Sequence, residues 1–118
     1  MNSSKDIPQP IGIIGAGAVG SSLAKALLAR QFSILTGTRH PERCTDGSDL
    51  VLTDYATVMA TCEYVFLTVP DSALIDVATA SAWKANQCCI HCAGSHPAEF
   101  LADYVAPARS GEIGRAHV

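Results

Sequence analysis

Apolar residues run along this chain in short clusters separated by glycine, proline and polar residues. Ile11–Ile14 is a compact apolar run stopped by Gly15. It is too short for a helix and reads as a buried strand. From Ala18 to Arg30 the apolar positions Val19, Leu23, Ala26 and Leu27 recur at helical spacing, one face inward. Phe32–Leu35 reads as a second strand. Thr36–Asp49 is polar, carries Pro41 and Gly47, and reads as loop with one helical turn at most. Leu50–Leu52 is a short third strand and Tyr55–Ala60 a brief helix. Tyr64–Val69 is nearly continuous apolar, a central strand stopped at Pro70. Ser72–Trp83 is expected as a helix with Asp71 as N-cap and Leu74, Val77, Ala78 and Trp83 on its buried side. Cys88–Cys92 is a fifth strand and Ala98–Val105 a further helix. No internal repeat or low-complexity tract is present.

Strands alternating with helices call for crossover connections and a parallel sheet covered on both faces. The expected fold is therefore α/β, a Rossmann-like doubly wound parallel sheet of about five strands. Such sheets bind ligands beyond the carboxyl ends of their strands, where the strand order reverses. The residues just after each strand therefore matter most.

Composition narrows the function. The chain has 118 residues, room for one domain. It is 48% hydrophobic and 16% charged, which provides for a core and excludes a disordered chain. Net charge is -3 and the 8 Lys+Arg are scattered, so no basic stripe for nucleic acid is expected. No apolar run reaches the roughly 20 residues of a membrane span. The polar, Pro-bearing segment 1–10 reads as a disordered lead rather than a signal peptide. The 5 Cys are odd in number and lack disulfide spacing, which suits free thiols and a cytoplasmic location. Cys88, Cys89 and Cys92 do not read as a metal site. On a strand Cys88 and Cys92 face one way and Cys89 the other, and no second C-x-x-C pair completes a ligand set. The cysteines, Cys44 and Cys62 included, read as small core residues.

The end of the chain stands apart. Ile113 to Val118 resembles the translation of a sequencing-library adapter, whose ATC GGA AGA GCA CAC GTC encodes Ile-Gly-Arg-Ala-His-Val. The expected organisation is then a lead at 1–10, an incomplete dinucleotide-binding domain at 11–111 and a non-native tail at 112–118. The chain would be the front of a longer protein.

The chemistry begins after the first strand, with Gly15-Ala16-Gly17-Ala18-Val19-Gly20, a G-x-G-x-x-G. Gly15 permits the tight turn. Gly17 lets a pyrophosphate approach the backbone. Gly20 lets the helix pack close to the strand. The helix beginning at Ala18 aims its free N–H groups at the phosphates. The second strand is followed by Thr38, Arg39 and His40, where NAD-preferring sites place an acid. A guanidinium binds a 2′-phosphate bidentately and stacks on adenine, so Arg39, with hydrogen bonds from Thr38 and His40, points to NADP. Val69 and Pro70 close the fourth strand beside the cofactor, with Asp71 read as a cap. The fifth strand ends His91-Cys92-Ala93-Gly94-Ser95, small residues that leave room for a nicotinamide ring near Ala93. His91 and Ser95 are the candidates for a hydrogen bond or proton transfer to substrate. Each also has a structural reading, a core histidine and a turn cap.

Three segments, IGIIGAGAVGSSLAKAL, LTGTRHPE, and VFLTVPDSAL with IHCAGSHPAEFL, together resemble the amino-terminal domain of the NADP oxidoreductases related to the deazaflavin-dependent NADP reductases. The likeness is strongest to a Rossmann-like branch with a V-P-D turn. It implies NADP on Gly15–Gly20, Thr38 and Arg39, with the nicotinamide near Ala93. It also implies a helical carboxyl-terminal domain that shapes the substrate site and a homodimer. Two departures stand out: Gln31 replaces the glycine that usually closes the first helix, and Cys92-Ala93 stands where the branch often has Thr-Ser.

The expected function is an NADP(H)-binding domain of an oxidoreductase that moves hydride between nicotinamide and an unidentified small-molecule acceptor, the chain itself only binding cofactor. The rival readings are an imine or keto-acid reductase of the pyrroline-carboxylate or ketopantoate type, and a non-catalytic NADP(H)-binding or sensing module.

Overall fold

A computed structural model describes residues 10–15, 17–39, 52–92 and 98–112. Strands β1 (Ile11–Ile14), β2 (Ile34–Gly37), β3 (Leu52–Thr53), β4 (Tyr64–Leu67), β5 (Cys88–His91) and β6 (Arg109–Glu112) alternate with helices. The helices are α1 (Ala18–Ala29), α2 (Tyr55–Thr61), α3 (Leu74–Ala80) and α4 (Ala102–Val105), with single 3-10 turns at Asp71–Ala73 and Ala98–Leu101. Among the described residues the six strands form one sheet in the order β3-β2-β1-β4-β5-β6, and every neighbouring pair is parallel. The order reverses between β1 and β4. The fold is the expected Rossmann-like α/β sheet.

Strand alternation divides the core in two. Ile11 and Ile13 of β1 and Ile34 of β2 pack with Ala24 of α1, and Leu23, Leu27 and Phe66 close around them. Ile14, Val65, Leu67 and Cys89 point to the other face and pack with Val58 and Met59 of α2, Leu74 and Val77 of α3, and Val105 of α4. Helix α2 reaches the sheet where two strand residues lack side chains. A Cβ on Gly12 would lie 2.6 Å from Val58 Cγ1, and one on Gly37 3.0 Å from Val58 Cγ2.

The helix ends are specified by identifiable groups. Asp54 caps α2 by accepting the Thr57 N–H at 2.8 Å, and that hydrogen bonding holds its carboxyl below the usual value. Gln87, buried, donates from Nε2 to the Met59 and Cys62 carbonyls at 2.8 and 2.9 Å, closing the far end of α2. Its Oε1 accepts the Lys84 N–H at 2.7 Å. At the end of α1, Gln31 adopts φ 69°. Phe32 N donates to Leu27 O at 3.1 Å and Gln31 N to Leu28 O at 2.9 Å, the two bonds of a Schellman motif.

Several expectations are corrected. The second strand is Ile34–Gly37, not Phe32–Leu35, because Phe32 finishes the helix turn. Thr36 and Gly37 join the ladder opposite Ile13 and Ile14 instead. The third strand is Leu52–Thr53, and residues 40–51 lie outside the described residues. The fourth strand ends at Leu67 rather than Val69. The expected Ser72–Trp83 helix is a 3-10 turn followed by α3. It ends early because Ser81 Oγ donates to Val77 O at 2.9 Å and Trp83 Nε1 to Ala78 O at 2.8 Å, side chains capping the last turn. Asp71 lies inside the 3-10 turn and is not its N-cap. Ala98–Val105 likewise divides into a 3-10 turn and α4. A sixth strand is present, and it takes in Gly111 and Glu112.

Among the described residues no helix is long and apolar enough to cross a membrane.

Candidate functional site

The turn leaving β1 is built by backbone. Gly15 has φ +112°, where a Cβ would be strained and would also lie 2.8 Å from Thr68 Oγ1. Its N–H donates to Gly37 O at 2.9 Å, tying the turn to β2. Gly17 is the N-cap of α1 with extended backbone, and its carbonyl accepts the Ser21 N–H at 2.8 Å. Gly20 backs directly onto the Gly15 carbonyl, and a Cβ there would also come 2.6 Å from Thr68 Oγ1. A Cβ on Gly17 would meet nothing within 4 Å. The first and third glycines are therefore filled by protein. The second opens on space.

That space is a cavity of about 330 Å³ at the reversal of strand order. Gly17, Ala18 and Val19 form one wall; Thr68, Val69, Pro70 and Asp71 form the other; Cys92 closes it beyond β5. Val19 is 58% exposed, unusual for valine, because it stands at this opening. The first turn of α1 holds no acidic residue, so nothing in it competes with an anion for the helix's positive end. On the loop side the residues fit a pyrophosphate, with an open glycine and a helix N-terminus free of acid in its first turn; the carboxylate among the lining residues, Asp71, stands on the opposite wall.

The structure brings some of the expected site residues together and separates others. Gly17, Ala18, Val19, Val69 and Pro70 share the cavity, and Gly15 and Gly20 make the turn beneath it. Thr38 lies just past β2, its N–H donating to Thr53 O at 2.9 Å. Arg39 is exposed and lines a different, larger cavity of about 650 Å³ between α2 and α3, with Tyr55, Met59, Val77 and Lys84. The two cavities share no lining residue. Ala16, His40, Ala93 and Ser95 lie outside the described residues. His91 is fully buried, its ring edge-on to Phe100 with centroids 6.1 Å apart. It lies on the core side of β5 and does not line the loop cavity, which fits its structural reading better than proton transfer to a bound substrate.

Three residues that the sequence does not single out as cofactor-binding line the cavity. Cys92 lines it instead of being core, and burial pushes its thiol up. Asp71 lines it instead of capping a helix. Thr68 supplies part of the far wall, and its hydroxyl is 3.0 Å from both the Ile14 and the Gly15 carbonyl oxygens. The only signal for Thr68 was a hydroxyl residue interrupting an apolar strand just before Val69-Pro70. Among the described residues no group of three His, Cys, Asp or Glu side chains is placed to hold a metal ion.

A glycine turn, a helix N-terminus and a cavity at the sheet's reversal point define a dinucleotide-binding domain of the Rossmann type. The sequence profile of the coenzyme F420-dependent NADP oxidoreductases matches residues 10–93, and the chain belongs to that family of NAD(P)-binding oxidoreductase domains. No curated protein matches the sequence. Among solved structures, the chain is similar to an NADH-preferring ketol-acid reductoisomerase from an uncultured archean, with TM-score 0.70 and 16% identity over 97% of this chain and 37% of that one. It is also similar to the NAD-complexed D-isomer specific 2-hydroxyacid dehydrogenase from Lactobacillus delbrueckii ssp. bulgaricus, with TM-score 0.59 and 21% identity over 98% of this chain and 37% of that one. At such identities the likeness is one of fold. The chain spans little more than a third of the length of either protein.

Proposed function

We propose that the chain is the NADP(H)-binding domain of an oxidoreductase that moves hydride between nicotinamide and a small-molecule acceptor. The observation that carries this reading is the cavity between Gly17–Val19 and Val69–Asp71, backed by a helix N-terminus with no acid in its first turn. When bound, the dinucleotide supplies the hydride chemistry. This chain's part is to hold the pyrophosphate on the Gly15–Gly20 turn and to orient the rest along the strand ends. Val69 and Pro70 border the cavity with apolar surface, and Cys92 bounds it beyond β5.

The preference for NADP over NAD rests on Arg39. It is exposed just past β2, and neither the strand nor Thr38 and Arg39 contain an acid to accept ribose hydroxyls. A guanidinium there recognises a 2′-phosphate.

The second reading, a binding module without catalysis, draws on the burial of His91. Among the described residues the cavity's titratable side chains are Asp71 and Cys92 alone. Thermal unfolding with NADPH and NADH in parallel tests the main reading. A ligand at a hundred times its dissociation constant adds ~2.7 kcal/mol of stability. The expected result is a clear rise in midpoint with NADPH, a smaller one with NADH, and loss of that difference in Arg39→Ala. No rise with either dinucleotide overturns the reading. Equal rises overturn the NADP preference and leave dinucleotide binding standing.

A further inference from the structure

Resting on that dinucleotide reading, we propose that Thr68 is a positioning residue that clasps the two walls of the cavity together and holds the phosphate-binding turn in its binding shape. The Thr68 hydroxyl carries one proton and lies 3.0 Å from two carbonyl oxygens, those of Ile14 and Gly15, more than fifty residues away in sequence. The Thr68 N–H also donates to Ile14 O at 2.9 Å. Thr68 thus belongs to the β4 wall and bonds twice to the point where β1 turns into the glycine loop.

Two glycines make room for this hydroxyl. A Cβ on Gly15 would approach it to 2.8 Å and one on Gly20 to 2.6 Å. The hydroxyl sits in the hollow that these missing side chains leave, on the inner side of the turn. It engages the Gly15 carbonyl, an electron-rich oxygen at the start of a loop whose partner is an anion. With no donor, that carbonyl would be a half-buried acceptor beside the phosphates, and the turn at φ +112° would lose the contact that holds it against β4. Apolar residues at position 68 would still fill the hollow. Only a hydroxyl also holds the carbonyl.

The test compares Thr68→Ser, Thr68→Val and Thr68→Ala with the unsubstituted 118-residue chain. Affinities are measured for NADPH, which engages the loop through its pyrophosphate, and for adenosine 2′-monophosphate, which has none. Serine keeps the hydroxyl and is expected to bind NADPH within about twofold of the unsubstituted chain. Valine is expected to lose about tenfold, the worth of one hydrogen bond, while adenosine 2′-monophosphate binds as before. Thr68→Ala carries the same comparison if the valine methyl prevents folding. NADPH binding unchanged in valine or alanine overturns the proposal, as does an equal loss for both ligands, which would mean general loosening of the fold. If the unsubstituted chain binds neither ligand, the dinucleotide reading fails and the proposal falls with it; a proposal that fails alone shows as tight NADPH binding in every variant.

Discussion

Gly20 faces the carbonyl oxygen of Gly15 so closely that no side chain fits between the third glycine of the loop and the first. The contact sets how near α1 stands to the end of β1, and so where its free N–H groups point.

Gly20→Ala should therefore remove binding and stability together. The added methyl would overlap the Gly15 backbone, which cannot move without breaking its 2.9 Å bond to Gly37 O. Overpacking against rigid backbone costs about 3 kcal/mol. Urea unfolding and dinucleotide affinity should both fall. A variant that binds NADPH normally would show that α1 can shift outward at little cost.

Gln31→Gly should act in the opposite direction. Gln31 closes α1 at φ 69° in a Schellman motif, a conformation that a side chain resists and glycine accepts. Relief of that strain, less glycine's larger entropy loss on folding, is worth about 0.5–1 kcal/mol. The melting midpoint should rise by roughly 2–6 °C. Gln31→Ala is the control and should bring no rise. Equal midpoints for all three chains would count against strain at this position.

Gln87→Leu should be costly despite preserving volume. The Met59 and Cys62 carbonyls and the Lys84 N–H would all lose their partner. Stranding the two buried carbonyls costs about 1–3 kcal/mol each, so a loss of about 3 kcal/mol is expected in chemical denaturation. Gln87→Glu should also destabilise, since a carboxylate cannot donate to two carbonyls. A loss below about 1 kcal/mol would mean that α2 has another way to close its end.

Stability should decline in alkali. Burial pushes the Cys62 thiol up to about 11 and the Cys89 thiol up to about 12, with Cys88 adding to the second. Both groups keep their protons in the folded chain beyond the ordinary thiol value of 9.0. Their contribution is fully present below that value, falls as pH rises past it, and is gone once the folded-state values are passed. Each thiol contributes a slope of up to about 1.4 kcal/mol per pH unit within its window. Urea midpoints between about pH 8 and 10.5 should fall, and Cys62→Ala, less stable at about pH 8, should show a shallower decline. An unchanged slope in that variant would remove Cys62 as a cause.

Much of the fold was legible because β1, β4 and β5 are mostly apolar runs and α1 repeats apolar positions along one face. Ile11–Ile14, Tyr55–Thr61 and Cys88–His91 fall within a residue of expectation. Strand β6 was not legible. Arg109-Ser110-Gly111-Glu112 contains no apolar residue, and the segment becomes a strand only because β5 offers it an unpaired edge. The start of β2 was misplaced because Phe32 is as apolar as a strand residue yet completes the cap of α1.

The candidate site divides along the same line. The glycine spacing and the strand before it state which turn forms and what it can hold, since φ preference and the absence of a Cβ are local properties. Local properties do not reveal which distant residues meet that turn. Thr68 reaches Gly15, Cys92 joins the cavity wall and His91 is buried in the core because β4 and β5 stack beside β1 in a particular register. That register comes from the packing of both faces of the sheet at once, a long-range balance that no single segment encodes.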